Sequence, residues 1–240
     1  MTDLINARGI TKHYDGTAVL SEVSLNVPSG CVTGFIGVNG AGKTTTIRAL
    51  MGLMELDAGE VIVFGEPFGP GVDDACARRL KERIGVVFDT CPFIGDLPVK
   101  TAGTLMKASF SAWKQGRFED LLDRFGLDPK KKIKDLSRGM GMKLQLACAL
   151  AHDPDLLILD EATAGLDPMA RDEILDLLRD FMSDENRGIL ISSHITTDLE
   201  KIADRIVCID QGRIAFDVEK DEITDLAGVA RCRAAHKRSG

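Results

Sequence analysis

The stretch Cys31-Val32-Thr33-Gly34-Phe35-Ile36-Gly37-Val38-Asn39-Gly40-Ala41-Gly42-Lys43-Thr44 decides the fold. Its first six residues form a short apolar run suited to a strand buried on both faces. From Lys43 to Leu53 the pattern reads as a helix. Four glycines, at 34, 37, 40 and 42, fall within nine residues around the junction. A loop that points successive backbone N–H groups at a phosphate needs positive φ and no side chains in the way, and glycine supplies both. The helix opening near Gly42 adds its positive dipole end and its free N–H groups. In that pattern Gly37, Val38, Asn39, Gly40, Ala41 and Gly42 cradle phosphate, with Thr45 next along the helix. Lys43 reaches the β- and γ-phosphates and the Thr44 hydroxyl holds Mg²⁺. A glycine-rich turn matching by chance is the competing reading; the strand before it and the helix after it weigh against that.

Upstream, Val23, Leu25 and Val27 alternate with polar residues, as a half-buried strand does before the Pro28-Ser29-Gly30 turn. Downstream, Val61–Phe64, Ile84–Phe88, Leu156–Leu159 and Ile189–Ile191 are further strand candidates. Helical stretches lie between them at 73–83, over most of 99–152, and at 168–182. Strands alternating with helices imply a parallel sheet covered on both faces. The fifty-odd helical residues between two core strands imply an inserted subdomain, about residues 90–152. At the end of one apolar strand stand Asp160 and Glu161. Ligands of parallel sheets gather at the carboxyl ends of the strands, where the phosphate loop also lies. Asp160 is then placed to hold Mg²⁺ through water, and Glu161 to orient and polarise an attacking water. A solvated strand end is the plainer alternative for this pair taken alone.

Composition narrows the class. Lys plus Arg is 30 against Asp plus Glu at 37, a net charge of −7, which argues against a nucleic-acid coat. Apolar runs stay far below the ~20 residues of a membrane helix, and the start Met1-Thr2-Asp3-Leu4 lacks the basic and apolar parts of a secretory signal. The chain is therefore expected to be soluble and to span no bilayer. Six scattered cysteines, without a Cys-x-x-Cys pair, read as reduced thiols. The basic run Lys130–Lys132 with Lys134 reads as a solvated loop.

The order of Gly37–Thr44, Leu136-Ser137-Arg138-Gly139-Met140, Leu156–Glu161, Ala164-Gly165-Leu166-Asp167 and His194 resembles the ATP-binding subunits of ABC transporters. The resemblance runs from about residue 4 to 218, and the Leu-Ser-x-Gly segment before the acidic strand is its most specific part. It implies an α/β P-loop NTPase (RecA-like) parallel-sheet core, an N-terminal antiparallel β subdomain and the helical insertion. The expected organisation is one ATPase domain over 1–228 and a basic, flexible tail at 229–240. The resemblance also implies ATP and Mg²⁺ as ligands. Ser137, a good N-cap, and Gly139 would meet the γ-phosphate of ATP on the opposite subunit of a homodimer or heterodimer. By the same carry-over Tyr14 stacks on adenine, His194 contacts the γ-phosphate, and Asp167 couples the two sites. Glu161, His194 and Lys43 are the implied catalytic groups, with Thr44, Asp160 and Asp89 as metal ligands.

Four positions depart from the family's pattern. Asp89 stands where Gln is usual, and an ionised Asp only accepts hydrogen bonds. Arg138 and Met140 replace Gly and Gln in the signature, and Ala162 replaces the Pro after the catalytic Glu. The stretch from Ser192 to Asp204, with Val87-Phe88-Asp89, resembles a bacterial exporter subgroup. Its subunits work at the cytoplasmic side of the membrane with a transmembrane permease encoded as a separate chain, and move peptides, antibiotics or drugs. Apolar residues of the insertion, among them Phe93, Leu97, Val99, Leu105, Met106, Phe110 and Trp113, are expected to be mostly core, with some forming a docking patch for that permease. No nucleic-acid partner is expected. The alternatives are a soluble ABC ATPase in a non-transport assembly such as metal-cluster biogenesis, and a degenerate nucleotide sensor.

Overall fold

Apolar strands without polar alternation must be covered on both sides, and the architecture does this with two cores. The computed structural model describes residues 2–194 and 196–222. In chain order they form β1 (Asp3–Tyr14), β2 (Thr17–Pro28), β3 (Val32–Ile36), α1 (Lys43–Leu50), β4 (Ala58–Val63), β5 (Glu66–Pro67), α2 (Asp74–Lys81) and β6 (Ile84–Val87). Then come α3 (Val99–Ser109), α4 (Gln115–Arg124), a 3₁₀ turn (Ile133–Asp135), α5 (Arg138–Leu150), β7 (Leu156–Asp160), α6 (Pro168–Phe181), β8 (Gly188–Ser193), α7 (Thr196–Ile202), β9 (Arg205–Asp210) and β10 (Arg213–Glu219).

A six-stranded sheet runs β10-β9-β3-β8-β7-β6. Its strands from β9 to β6 are parallel, and β10 closes one edge antiparallel to β9. A second sheet, β2-β1-β4-β5, is antiparallel throughout. Side-chain alternation along each buried strand divides its residues between two cores. Leu157, Leu159, Ile189 and Ile191 pack with the helical insertion and α6. Leu156, Ile158 and Leu190 face the other way, with Phe35, α1 and the antiparallel sheet. The phosphate-loop strand β3 lies between β8 and β9, and the acidic strand β7 is the next one beyond β8. The loop, the acid pair and the residue after β8 thereby share one edge.

The expected class is found: a parallel-sheet P-loop core, an antiparallel β layer, and helices α3, α4 and α5 between β6 and β7. The helix after the loop ends at Leu50 rather than Leu53, and β9 and β10 are additions to the expected strands. The tail at 229–240 lies outside the described residues. The five cysteines among the described residues are free. No helix among the described residues is long and apolar enough to cross a membrane.

Asp153, between α5 and β7, ties the insertion to the core. It accepts from Lys114 Nζ at 2.6 Å, Arg117 Nη1 at 2.8 Å and Arg187 Nη2 at 3.0 Å. The Lys114 hydrogen bond, followed by Arg117, holds its carboxyl down from 3.8 to about 2. A carboxyl depressed on folding stabilises the fold above its unfolded value and loses that contribution as pH falls through its folded value. Asp153→Asn keeps a residue suited to the positive φ of 60° at this position. Urea unfolding of this variant should therefore show a loss of about 1 kcal/mol near neutral pH, after screening of a partly exposed group. Between pH 3.8 and about 2 that difference from the parent chain should disappear.

Candidate nucleotide-binding and catalytic site

The phosphate loop is pressed onto the sheet edge. A Cβ on Gly37 would stand 2.5 Å from the carbonyl oxygen of Ile209 in β9, so only glycine fits. Gly42 caps α1 with φ 113°, a conformation costly for other residues. The first i→i−4 bond of the helix start runs from Thr46 N–H to Gly42 O at 2.8 Å. The N–H groups before it have no helical acceptor and face the loop. Lys43 is buried; its Nζ donates to Gly37 O at 2.7 Å and pairs with Glu161 Oε1 at 3.3 Å.

The acid pair is organised by one hydroxyl. In the β7–β8 register Asp160 lies beside Ser192. Ser192 Oγ donates to Asp160 Oδ1 at 2.7 Å and accepts the Glu161 N–H at 3.0 Å. The Ser192 carbonyl also accepts that N–H, at 3.2 Å. These bonds hold Glu161 at φ 53°, a left-handed conformation that a side chain adopts only under constraint. The twist carries the Glu161 side chain away from buried Asp160 and out toward the loop. Its Oε2 lies 2.6 Å from His194 Nδ1, just past β8. A carboxylate only accepts, so Nδ1 carries the hydrogen in this bond.

A cavity of about 690 Å³ joins these parts. Its walls include Val38, Asn39, Gly40, Gly42, Lys43, Thr44 and Thr45 from the loop side, and Glu161 and His194 opposite. Val19, Ala164, Gly165, Asp89 and Arg138 complete it. Gly37 and Ala41 lie behind the loop and shape it rather than line it. Tyr14 ends β1, half exposed, outside this wall. Ser137 caps α5, its Oγ accepting Met140 N–H at 3.2 Å. Gly139 faces Leu166 and Ala170. Asp167 caps α6 by accepting Ala170 N–H at 3.0 Å. None of Ser137, Gly139 and Asp167 lines the cavity of its own chain.

Three contributors were not singled out from the sequence. Ser192 looks like one more polar residue at a strand end. Gln145, buried in α5, binds the Phe88 backbone twice, accepting its N–H at 3.0 Å and donating to its carbonyl at 3.1 Å. The clamp fixes the segment that presents Asp89, whose Oδ1 accepts from the Thr90 hydroxyl at 2.5 Å. Val19, from β2, supplies apolar wall. Helix periodicity marks Gln145 only as a polar residue on an apolar face, and gives Ser192 and Val19 no signal at all.

Comparison with known proteins accords with this geometry. A family model described as ABC transporter matches residues 20–164. The chain is an ATP-binding subunit of the ABC transporter family. The bacitracin transport ATP-binding protein BcrA of Bacillus licheniformis is 33% identical over 225 residues, 93% of this chain and 72% of that protein. The lantibiotic transport ATP-binding protein SrtF of Streptococcus pyogenes is 34% identical over 229 residues, 93% of this chain and 94% of that protein. A solved ATP-binding subunit of an ABC transporter superposes with a TM-score of 0.83 at 27% identity, over 94% of this chain and 93% of that one. The ABC subunit is an ATPase, and these findings give no support to a role outside transport.

Ser192 carries a direct test of how the acids are held. Ser192→Ala removes the donor to Asp160 and one of two acceptors of the Glu161 N–H. Stability should fall by about 1–3 kcal/mol, read by urea unfolding. ATP turnover should fall well beyond any change in ATP affinity; equal losses in both would show that the hydroxyl does not order Glu161.

Proposed function

We propose that this subunit binds and hydrolyses Mg-ATP to power a separately encoded membrane permease that exports peptide, antibiotic or drug-like cargo. The observation that carries the hydrolytic reading is the Glu161 carboxylate, held between Lys43 Nζ at 3.3 Å and His194 Nδ1 at 2.6 Å on the wall of the phosphate-loop cavity. The loop N–H groups and the start of α1 receive the phosphates. Lys43 exchanges its bond to Glu161 for the terminal phosphates, which frees Oε1 to face the attacking water. Glu161 takes the proton of that water as its oxygen bonds to the γ-phosphorus, and the bond to the β-phosphate oxygen breaks to release ADP and phosphate. His194 holds Oε2, so the accepting oxygen is presented in one orientation. Most of the catalysis such transfers need is charge neutralisation and positioning.

The residues present suit Mg²⁺. No cluster of three or more His, Cys, Asp or Glu that could hold a metal occurs among the described residues. The donors are one hydroxyl, Thr44, and the carboxylates Asp160 and Asp89. That set fits an ion that takes one or two carboxylates and completes its shell with phosphate oxygens and water. Thr44, Asp160 and Asp89 would hold Mg²⁺, which when bound would supply positive charge to offset that of the phosphates.

A dimer, of two copies or with a related subunit, is supported by the signature residues. Ser137 and Gly139 open α5 outside the cavity of their own chain, where a second subunit's nucleotide can meet them. Asp167 stands exposed at the start of α6 beside them, fit to couple the two sites, and Tyr14 stays exposed for a base to stack on. The transport reading draws on the bacitracin and lantibiotic transport relatives. Of the apolar residues of the insertion, Val99 is buried, and Phe93, Leu97, Met106 and Trp113 pack partly buried on the core. Leu105 and Ile94 are exposed, 47% and 66%, and offer apolar contact to a permease. Through that contact the subunit works at the cytoplasmic side of the membrane.

Glu161→Gln keeps the size and removes the base. Purified protein should still bind ATP, lose hydrolysis by about 10²–10⁴-fold and accumulate as a dimer on a sizing column with ATP. Unchanged turnover would remove Glu161 from the mechanism. Lys43→Ala should abolish Mg²⁺-dependent hydrolysis by weakening nucleotide binding itself, seen by equilibrium titration.

A further inference from the structure

Glu161 and His194 stand just past the ends of different strands, and each opens a segment that the sheet no longer holds. From Glu161 a turn is closed by Ala164 N–H to Glu161 O at 3.1 Å and Leu166 N–H to Thr163 O at 3.4 Å, and the chain enters α6 at Pro168. From His194 it enters α7 at Thr196. The Leu166 carbonyl, near the end of the first segment, accepts from Arg171 Nη2 at 3.3 Å. The same guanidinium pairs through Nη1 with Asp198 Oδ1 at 3.5 Å. Asp198 lies in α7, four residues after His194. One side chain thereby bridges the two segments that carry the Glu161–His194 bond.

The pair is placed for geometry more than for stability. The Asp198 side chain is 1% exposed and that of Arg171 23%. Arg171 Nε and Asp198 Oδ2 are buried and have no hydrogen-bond partner among the described residues. A buried ion pair is often no better for stability than apolar side chains of similar volume, and each unpaired buried polar atom adds an uncompensated desolvation cost. What an apolar pair lacks is direction: a rigid guanidinium fork fixes two acceptors relative to one another. Two other links join α6 to α7. Lys201 Nζ donates to Asp172 Oδ1 at 2.7 Å and Arg179 Nη2 to the Lys201 carbonyl at 3.4 Å, but both are exposed and reach α7 three residues farther on.

We propose that Arg171 is a positioning residue for hydrolysis. By joining the Leu166 carbonyl to Asp198 it sets α7 against the Glu161 turn. It thereby holds His194 where its Nδ1 and backbone N–H meet Glu161 Oε2, at 2.6 Å and 3.4 Å. The proposal rests on reading Glu161 as the base. Arg171 does not line the phosphate-loop cavity, so its contribution falls on turnover and not on ATP affinity.

Two experiments test this. Removing Arg171 alone leaves Asp198 buried without its cation and destabilises the fold. The informative variant is therefore the apolar replacement Arg171→Met with Asp198→Leu, its fold checked by urea unfolding. Hydrolysis of Mg-ATP and calorimetric binding of a non-hydrolysable ATP analogue are measured for it, for Arg171→Lys and for the parent chain. In the apolar variant kcat should fall by about 10–100-fold, with affinity for the analogue within about twofold. Arg171→Lys keeps a charge beside Asp198 but lacks the fork that also holds Leu166; its kcat should fall between, again at constant affinity, and it carries the test without breaking the charge pair. Parental kcat in these folded variants, or equal losses of kcat and affinity, would overturn the assignment. Failure of the parent chain to hydrolyse ATP would instead sink the reading of Glu161 on which it rests. The second experiment adds His194→Ala to each variant and follows slow hydrolysis by phosphate release. If Arg171 acts through His194, each combined variant stays within about twofold of His194→Ala alone. Losses that multiply would place its effect elsewhere and overturn the proposal.

Discussion

The register between β7 and β8 is the constraint on which the site depends. It sets Asp160 beside Ser192, so that one hydroxyl donates to Asp160 and accepts the N–H of Glu161. Two successive acids at a strand end would otherwise point to opposite faces by simple alternation. The Ser192 bonds hold Glu161 in a left-handed turn, and the two carboxylates divide: one stays buried with the sheet, the other swings out toward Lys43 and His194. A shift of one residue between these strands would remove the hydroxyl from both acids and turn each strand's apolar side chains to the wrong core. The two-sided packing of Leu156 to Leu159 is what makes that shift expensive.

Around this register the charges of the cavity form a short chain. Buried Lys43 is compensated by a loop carbonyl and by Glu161, and Glu161 is steadied in turn by His194. A buried cation left without an anion is strongly destabilising, so the carboxylate proposed as the base also makes the buried Lys43 tolerable. The phosphates of ATP can take over that compensating role. In the proposed mechanism, binding and readiness for hydrolysis are linked through one exchange of partners at one ammonium. The insertion joins this arrangement through Gln145, whose amide holds the Phe88 backbone as a neighbouring strand would. The helix that carries the signature and the segment that carries Asp89 are in this way fastened together.

Much of the fold was legible in the sequence because the core strands are short, apolar and bounded by turn residues. The loop from Gly37 to Thr44 could be read because its requirements are local: glycine where backbone must approach, lysine and threonine at the helix start. The strand β10 was hard to read, since five of its residues are exposed, while β9 holds a short apolar run, Ile206–Ile209, between Arg205 and Asp210. The long β1 and the first half of β2 were harder to read, since bulges shift their register at several points, whereas the alternation of Val23, Leu25 and Val27 marks the end of β2. The helix caps at Ser137 and Asp167 follow from residue type, and the roles proposed for the same two residues come from the family resemblance rather than from local chemistry.

By itself the sequence determined the phosphate loop, the parallel core, the acid pair and the order of motifs that marks the family. Each depends on neighbours along the chain, where spacing and residue type are enough. Only the tertiary structure decided that Ser192 governs both acids, that Gln145 clamps the Asp89 segment, and that Glu161 stands between Lys43 and His194. It also decided that Arg138 turns into the cavity of its own chain while Ser137 and Gly139 do not. These are contacts between residues as many as 118 positions apart, as with Lys43 and Glu161. No periodicity records them, because they exist only once the sheet has set its strand order.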